Sequence, residues 1–324
     1  MKLVTGGVGF IGSVLVKELN LQGHSDIWIV DRLEKDEKWR NLQGLNYVDY
    51  IHADELFSLG EDFWETITEI YHMGAISATT EKDVDKLWEN NVRYSQELIG
   101  IATQKGIPIA FASSAATYGA GESGYSDAHE AVGGFRPMNP YGFSKQYVDK
   151  WILSIEEKPE YWFSLKFFNV FGPNEYHKGD MRSLVHKGFE QIQANAEVKL
   201  FKSHKDGYAD GGQLRDFVYV KDVVQGMVLL MKHKIPGSSG IYNMGTGVAR
   251  SFDDLIKATF KAMSKPERID YIPMPEHLRD QYQYYTKAEM DKFSQVFPEF
   301  KFTGLEAAVE DYVQEHLLKT NPYF

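Results

Sequence analysis

Lys2-Leu3-Val4-Thr5-Gly6-Gly7-Val8-Gly9-Phe10-Ile11-Gly12 decides the fold. A short apolar strand runs straight into spaced glycines, Gly6, Gly9 and Gly12, and then into an amphipathic helical run from Ser13 to Asn20. The free N–H groups of a helix N-terminus, with the helix dipole behind them, attract an anion. Glycine at such a turn lets a pyrophosphate approach the backbone. A glycine triplet alone is weak evidence, but Ile27 to Val30 reads as a second strand and ends at Asp31. That is close to the spacing of about 20 residues at which a dinucleotide fold puts the carboxylate that takes the adenosine ribose. Asp31 by itself favours NAD, because a carboxylate binds the ribose 2′-hydroxyl and repels a 2′-phosphate. Arg32, Lys35 and Lys38 follow closely and offer cations to that phosphate, so on these residues the choice between NADP and NAD stays open.

The rest of the chain alternates strand and helix. Glu69 to His72 reads as a strand entering the small-residue turn Met73-Gly74-Ala75, where a cofactor can approach the backbone. His72, at a strand end beside small residues, is expected to be structural. A polar helix through Asn90 and Asn91, a helix from Ser95 to Gln104 and a buried strand from Ile109 to Ala112 follow, and that strand delivers Ser113 and Ser114 to its carboxyl end. Ligands of open parallel sheets sit at such ends. The alternation predicts an α/β protein: a Rossmann-type doubly wound parallel sheet with a smaller α/β substrate-binding lobe. The larger unit is expected over 1–168 with 214–245, where Arg215 to Val220 returns as a strand to the large unit, and the smaller over 169–213 with 246–324. Residues 119–140, rich in glycine and polar side chains, read as a long loop of the kind that often forms a lid.

Tyr141 and Lys145 carry the chemistry. On a helix, residues four apart share a face, so the ammonium sits near the phenol and is expected to pull its pKa down from about 10. That would turn an inert phenol into a proton acceptor. Taken alone, the pair reads first as an exposed helical pair with no chemistry; its place after a dinucleotide half is what gives it weight. Tyr282, Tyr284 and Tyr285 read first as packing, and as a phenol row between lobes they also suit a sugar site.

Composition narrows the function classes. The chain has 324 residues, no cysteine and a formal net charge of −11. Absence of cysteine removes disulfides, thiolate metal sites and a cysteine nucleophile, and no metal centre is expected. The acidic balance argues against nucleic acid or an anionic membrane as a partner, and no apolar run approaches the roughly 20 residues of a membrane span. A cytoplasmic globular protein is expected.

Assembled, Thr5-Gly6-x-x-Gly9-x-x-Gly12, Ser113/Ser114, Tyr141-x-x-x-Lys145 and Asn169-Val170-Phe171-Gly172-Pro173 resemble the extended short-chain dehydrogenase/reductase family that modifies nucleotide sugars. More narrowly, Ala112 to Gly119, His177-Lys178-Gly179 and Leu214 to Val220 resemble that family's ADP-heptose 6-epimerases, over nearly the whole chain. The resemblance implies a tightly bound NADP and an ADP-heptose substrate epimerised for lipopolysaccharide core. It also implies a homo-oligomer, a pentamer in the family. It makes Ser114, Tyr141, Lys145 and Lys178 catalytic. Gly6, Gly9, Phe10, Ile11, Gly12, Asp31, Arg32, Lys38, Met73, Gly74, Ala75, Ile76, Ser77, Asn90, Lys145 and Val170 would hold cofactor. Asn169, Asp180, Phe201, Lys202, Ser203, His204, Arg215 and Tyr282 fall at substrate positions, and His186 or Lys187 falls where the family has a substrate histidine. Four departures stand out: Asp180 for a serine, Ala53 for a cofactor-side lysine, Lys166 for an arginine, and residues 205–213 lengthening a substrate loop.

Two other readings compete. A nucleotide-sugar dehydratase needs an Asp-Glu pair just before Thr117, where Ala115 and Ala116 stand, and alanine transfers no proton. A dinucleotide-binding protein without turnover would commonly lack the Tyr/Lys pair, which this chain keeps.

Overall fold

The computed structural model describes residues 1–279 and 282–324. Twelve strands occur among them: β1 Lys2–Thr5, β2 Ile27–Asp31, β3 Asp49–His52, β4 Glu69–His72, β5 Ile109–Ser114, β6 Trp162–Phe167, β7 Asn169–Phe171, β8 Val198–Phe201, β9 Leu214–Tyr219, β10 Gly240–Met244, β11 Ala249–Ser251 and β12 Ile269–Ile272. Seven form one parallel sheet in the order β10-β6-β5-β4-β1-β2-β3. The strand sequence reverses between β1 and β4, and such a switch point opens a crevice at the carboxyl ends of the strands. Thr5 pairs in register with Val30 on one side and His72 on the other. The glycine turn, Asp31 and the Met73-Gly74-Ala75 turn therefore leave the sheet side by side. Helices pack on both faces; Phe10–Leu21 lies against Val220–His233. One continuous core runs through the sheet, with Leu3, Val4, Ile29, Ile70, Ile109 and Phe163 fully buried.

The chain leaves this sheet after β6. β7 pairs in parallel with β9, and β9 pairs antiparallel with β11, forming a separate three-stranded sheet. The strand Arg215 to Val220, expected to return to the large unit, pairs outside the seven-stranded sheet, which β10 extends instead. An apolar strand pattern reports burial, not partner, and β9 buries its side chains beside β7. Beyond, β8 and β12 form a parallel pair over a small satellite core of Ile192, Val198, Leu200, Ile256 and Phe260. The helix Phe252–Ala262 opens with a full capping box, Ser251 and Asp254 each satisfying the other's backbone N–H.

Residues 119–140 are fastened rather than free to close. Tyr125, Val132 and Phe135 are buried, Asp127 Oδ2 accepts from the Asn243 N–H at 2.8 Å, and Gln146 donates to the carbonyls of Val132 and Phe135. The expected loop thus carries its own buried apolar anchors and internal bonds, which hold it in the position seen here. Among the described residues no helix is long and apolar enough to cross a membrane.

Candidate active site

The glycine turn is built for close approach. A Cβ at Gly12 would lie 2.0 Å from the Gly6 carbonyl oxygen and 2.9 Å from Gly7 Cα, so backbone occupies the space that any side chain would need. The helix from Phe10 has no side-chain cap and no acidic residue in its first turn, which leaves its N-terminal donors for a ligand. Gly12→Ala is therefore expected to cost about 1–3 kcal/mol and to empty the cofactor site; native stability in urea with full cofactor content would contradict this.

Asp31 ends β2 beside the glycine turn. Its Oδ2 accepts from the Val8 N–H at 3.0 Å, its Oδ1 accepts from the Arg32 N–H at 2.7 Å, and the Lys38 ammonium stands 3.3 Å away. Arg32 donates through Nε and Nη2 to Asp54 at 3.1 and 2.5 Å. Asp31, Arg32 and Lys38, with Gly74, Ala75, Ile76 and Asn90, line a cavity of about 630 Å³. Ala53 lies on its wall where the family pattern has lysine. Cradle, carboxylate and flanking cations together fit a dinucleotide.

A second cavity, about 230 Å³, continues along the crevice. Gly9, Phe10, Ile11, Gly12, Met73 and Ser77 line it together with Tyr141, Lys145 and Lys178. Tyr141 is brought there by the helix Pro140–Ser154, whose start is set by Asn139, with its side-chain oxygen 2.8 Å from the Gly142 N–H, and by proline in the first turn. Gly142 permits the helix to sit on the turn Ala115–Tyr118, since a Cβ there would lie 2.7 Å from the Ala116 carbonyl oxygen. Ser114 caps that turn, accepting from the Ala116 N–H at 3.1 Å. Burial pushes the Tyr141 phenol up and hydrogen bonding to Ser114 opposes it. The expected dominance of Lys145 over the phenol is thus not found: desolvation is the larger effect, and it also lowers Lys145 itself to about 8, with Asp149 pulling the other way.

Lys178 comes from a different segment, the turn Tyr176–Met181 after β7. Its ammonium stands 5.5 Å from the centre of the Phe10 ring. Burial lowers its pKa, and the buried Glu175 partly restores it.

His72 is structural. Its Nδ1 meets the Thr5 hydroxyl at 2.5 Å and its Nε2 the Ser95 hydroxyl at 2.9 Å, and full burial drops its pKa to about 3. Asn91, which carried no role in the sequence, ties the cofactor turn to the Tyr141 helix: its Oδ1 accepts from the Ile76 N–H at 2.8 Å and its Nδ2 donates to Ser144 at 3.1 Å. An asparagine one helical turn from the apolar Leu87, and so on the buried face, is the signal that could have marked it.

A third cavity, about 500 Å³, opens beside β7, lined by Asn169, Val170, Lys187, Phe201 and Tyr282 among others. Arg215 lies under Tyr282, its guanidinium carbon 5.4 Å from the ring centre, and donates to the carbonyls of Leu214 and Gln283. Several expected substrate residues line none of the three cavities. His186 is buried against Tyr176, with Nδ1 3.1 Å from Arg182 and burial dropping its pKa to about 4. Of His186 and Lys187, then, the cavity takes Lys187, whose ammonium bonds the exposed Asp180 through its carbonyl at 2.5 Å. Val170, expected on the cofactor, lines this third cavity and neither of the other two. Lys202 is exposed, Ser203 bonds Asp210 and Lys205, and His204 accepts from the Met274 N–H at 3.1 Å. The lengthened segment folds back on β8, with the Gly211 N–H on the Phe201 carbonyl at 3.1 Å and Tyr208 packed on Tyr284.

Residues 2–245 match the model of the NAD dependent epimerase/dehydratase family. The chain is 47% identical, over all of both chains, to the ADP-L-glycero-D-manno-heptose-6-epimerase of Nitratidesulfovibrio vulgaris strain DP4. It is similar to the solved ADP-L-glycero-D-manno-heptose-6-epimerase of Helicobacter pylori, with TM-score 0.78 and 29% identity over 97% of this chain and 95% of that one. It is also similar to MoeE5 solved with UDP-glucuronic acid and NAD, with TM-score 0.75 and 25% identity over 97% of this chain and 99% of that one. A glycine cradle beside Asp31, the Tyr141/Lys145 face and full-length likeness to named epimerases agree, and the chain belongs to the NAD dependent epimerase/dehydratase family.

Proposed function

We propose that this enzyme inverts carbon six of the heptose in ADP-D-glycero-D-manno-heptose, giving ADP-L-glycero-D-manno-heptose for lipopolysaccharide core, in the cytoplasm and as a homo-oligomer. The observation that carries the reading is that two proton-active groups from separate segments, Tyr141 and Lys178, line one cavity with the glycine cradle. Inversion through a transient ketone needs a proton donor and acceptor at each face of the carbon. A dehydratase would need an acid where Ala115 and Ala116 stand.

The nicotinamide dinucleotide, when bound, supplies hydride acceptance and return. Gly6, Gly9, Gly12 and the Phe10 helix terminus would hold its pyrophosphate, and Asp31, Arg32 and Lys38 its adenosine. Tyr141 takes the proton of the substrate alcohol, Ser114 holds the phenol by a hydrogen bond that favours its ionised form and donates to the substrate oxygen as charge develops on it, and Lys145 shares the cavity with both the phenol and the cofactor cradle. The substrate lobe, 169–213 with 246–324, would bind the ADP portion through Asn169, Lys187, Phe201 and Tyr282, with Arg215 of β9 beneath Tyr282. Incubating the purified protein with ADP-D-glycero-D-manno-heptose and resolving the two epimers by chromatography tests the reading. Lack of any epimer from protein carrying its cofactor would overturn it.

NADP is the expected cofactor form, because Arg32 and Lys38 put two cations beside the ribose position. Arg32→Ala is expected to weaken NADP about tenfold, the scale of one charge-assisted hydrogen bond, and to leave NAD nearly unchanged in calorimetry. Equal weakening of both would assign the 2′-position to other groups.

A further inference from the structure

Behind the catalytic face lies a fully buried ion pair that the mechanism above does not use. Lys166 on β6 and Asp149 on the Tyr141 helix are each 0% exposed, with the ammonium 2.6 Å from Asp149 Oδ2. Ser113 donates to Oδ2 at 2.7 Å and Ser164 to Oδ1 at 2.5 Å. Lys166 also donates to the Thr117 hydroxyl at 2.7 Å, and its ammonium stands 5.0 Å from the Tyr118 ring centre. Tyr141, Lys145 and Asp149 recur every four residues, so one helical face carries the base, its neighbour and this anchor. Ser113 and Thr117 flank Ser114 in the chain, one on each side.

We infer that Asp149 and Lys166 are positioning residues for the reaction: their buried pair clamps the helix bearing Tyr141 and Lys145 to the strand end and turn bearing Ser114. The inference rests on the epimerase reading of this site. A buried ion pair is a weak source of stability, since its desolvation offsets its attraction, and neutral packed replacements are often tolerated. Its value here is geometric. It joins three separate segments, β5 with its turn, β6 and the helix, through Ser113, Thr117, Ser164 and Asp149. It also sets charge, because Asp149 favours the protonated form of Lys145. The other titratable groups facing Lys145 are Tyr141 on its own helix, His72 on β4, His177 and Lys178 from the turn after β7, and Asp31, Asp36 and Lys38 across the cavity. None of these is altered by the test.

The test is the double variant Asp149→Asn/Lys166→Met, which removes both charges while the amide keeps partners for Ser113 and Ser164. It is expected to fold and to melt near the parent, to keep KM within about threefold, and to lose about 10²-fold in kcat, the scale for a displacement near 1 Å of reacting groups. The Lys145 titration, followed by the 13Cε shift in 13C-lysine-labelled protein and assigned with Lys145→Met, is expected to move to lower pH. Lys166→Arg, which keeps the charge, is expected to retain kcat within about tenfold. Parent-like kcat in the double variant overturns the inference, as does an equal loss in Lys166→Arg. Should the parent protein turn over no ADP-heptose, the substrate reading fails separately and amide hydrogen exchange over 113–117 and 141–149 decides: faster exchange in the double variant than in Lys166→Arg supports the clamp and parent-like exchange overturns it.

Discussion

Tyr141→Phe is expected to fold, melt and hold cofactor like the parent while losing about 10² to 10⁴-fold in kcat, the range set by loss of a general acid/base. The substitution removes one hydroxyl from a cavity wall and leaves the ring in place, so packing along the helix Pro140–Ser154 is undisturbed. Ser114 loses a hydrogen-bond partner but keeps its cap on the Ala116 N–H. Because burial raises the phenol and Ser114 only partly opposes it, the parent's reaction is expected to quicken with rising pH until Tyr141 is deprotonated. The variant should lose that dependence. Rate and pH profile together separate a base from a packing residue: intact kcat in Tyr141→Phe would put the base elsewhere, whereas a large loss with a flat profile assigns it to Tyr141.

Fold and site were legible to different depths. β1, the glycine turn and Asp31 could be read because strand, turn and helix each leave a local signature and their order leaves one solution. β3 went unread, since in Asp49-Tyr50-Ile51-His52 only Ile51 is buried and a sheet-edge strand carries little apolar pattern. The sheet joined by β9 could not be read either: alternation fixes which face is buried, while partner choice depends on where β7 goes after leaving β6. Residues 119–140 looked free because glycine and polar residues dominate; the three apolar anchors, Tyr125, Val132 and Phe135, are too scattered for any period to reveal them. In the site, helical spacing correctly brought Tyr141 and Lys145 onto one cavity, but not the balance of charges there. Desolvation depends on what surrounds a side chain, and the turn Ala115–Tyr118, on which the Tyr141 helix sits at Gly142, lies more than one element away in sequence. His186 and Lys187 are adjacent in the chain, and only the direction of their helix turn decides which reaches the cavity.

Lys178→Met is expected to cut kcat by about 10² or more while substrate affinity stays near normal, on our proposal that Lys178 is the second proton-transfer group. Inversion through a ketone requires hydride to reach both faces of one carbon, and each delivery needs a proton on the oxygen from a matching direction. Tyr141 is fixed by its helix and by Ser114, so it serves one geometry. Lys178 lines the same cavity from the turn after β7, against the Phe10 ring. Burial lowers its pKa below the ordinary lysine value, which makes the amine a better proton exchanger near neutrality. Glu175, fully enclosed and bonded by the Ser183 N–H and hydroxyl at 2.6 Å, limits that fall and fixes the turn. The competing role is a phosphate ligand, since lysines commonly hold phosphate. Methionine keeps the length and apolar contact of the side chain with Phe10 and removes only the ammonium, so the two roles part cleanly. Loss of a phosphate contact raises KM and leaves kcat, whereas loss of a proton donor lowers kcat and leaves KM. The double variant with Tyr141→Phe sharpens the test: if each group serves one face, either single loss already stops inversion, and the second adds little to it. Additive losses would refute the one-face-each division, and intact turnover with weakened binding in Lys178→Met would leave Tyr141 as the sole acid/base.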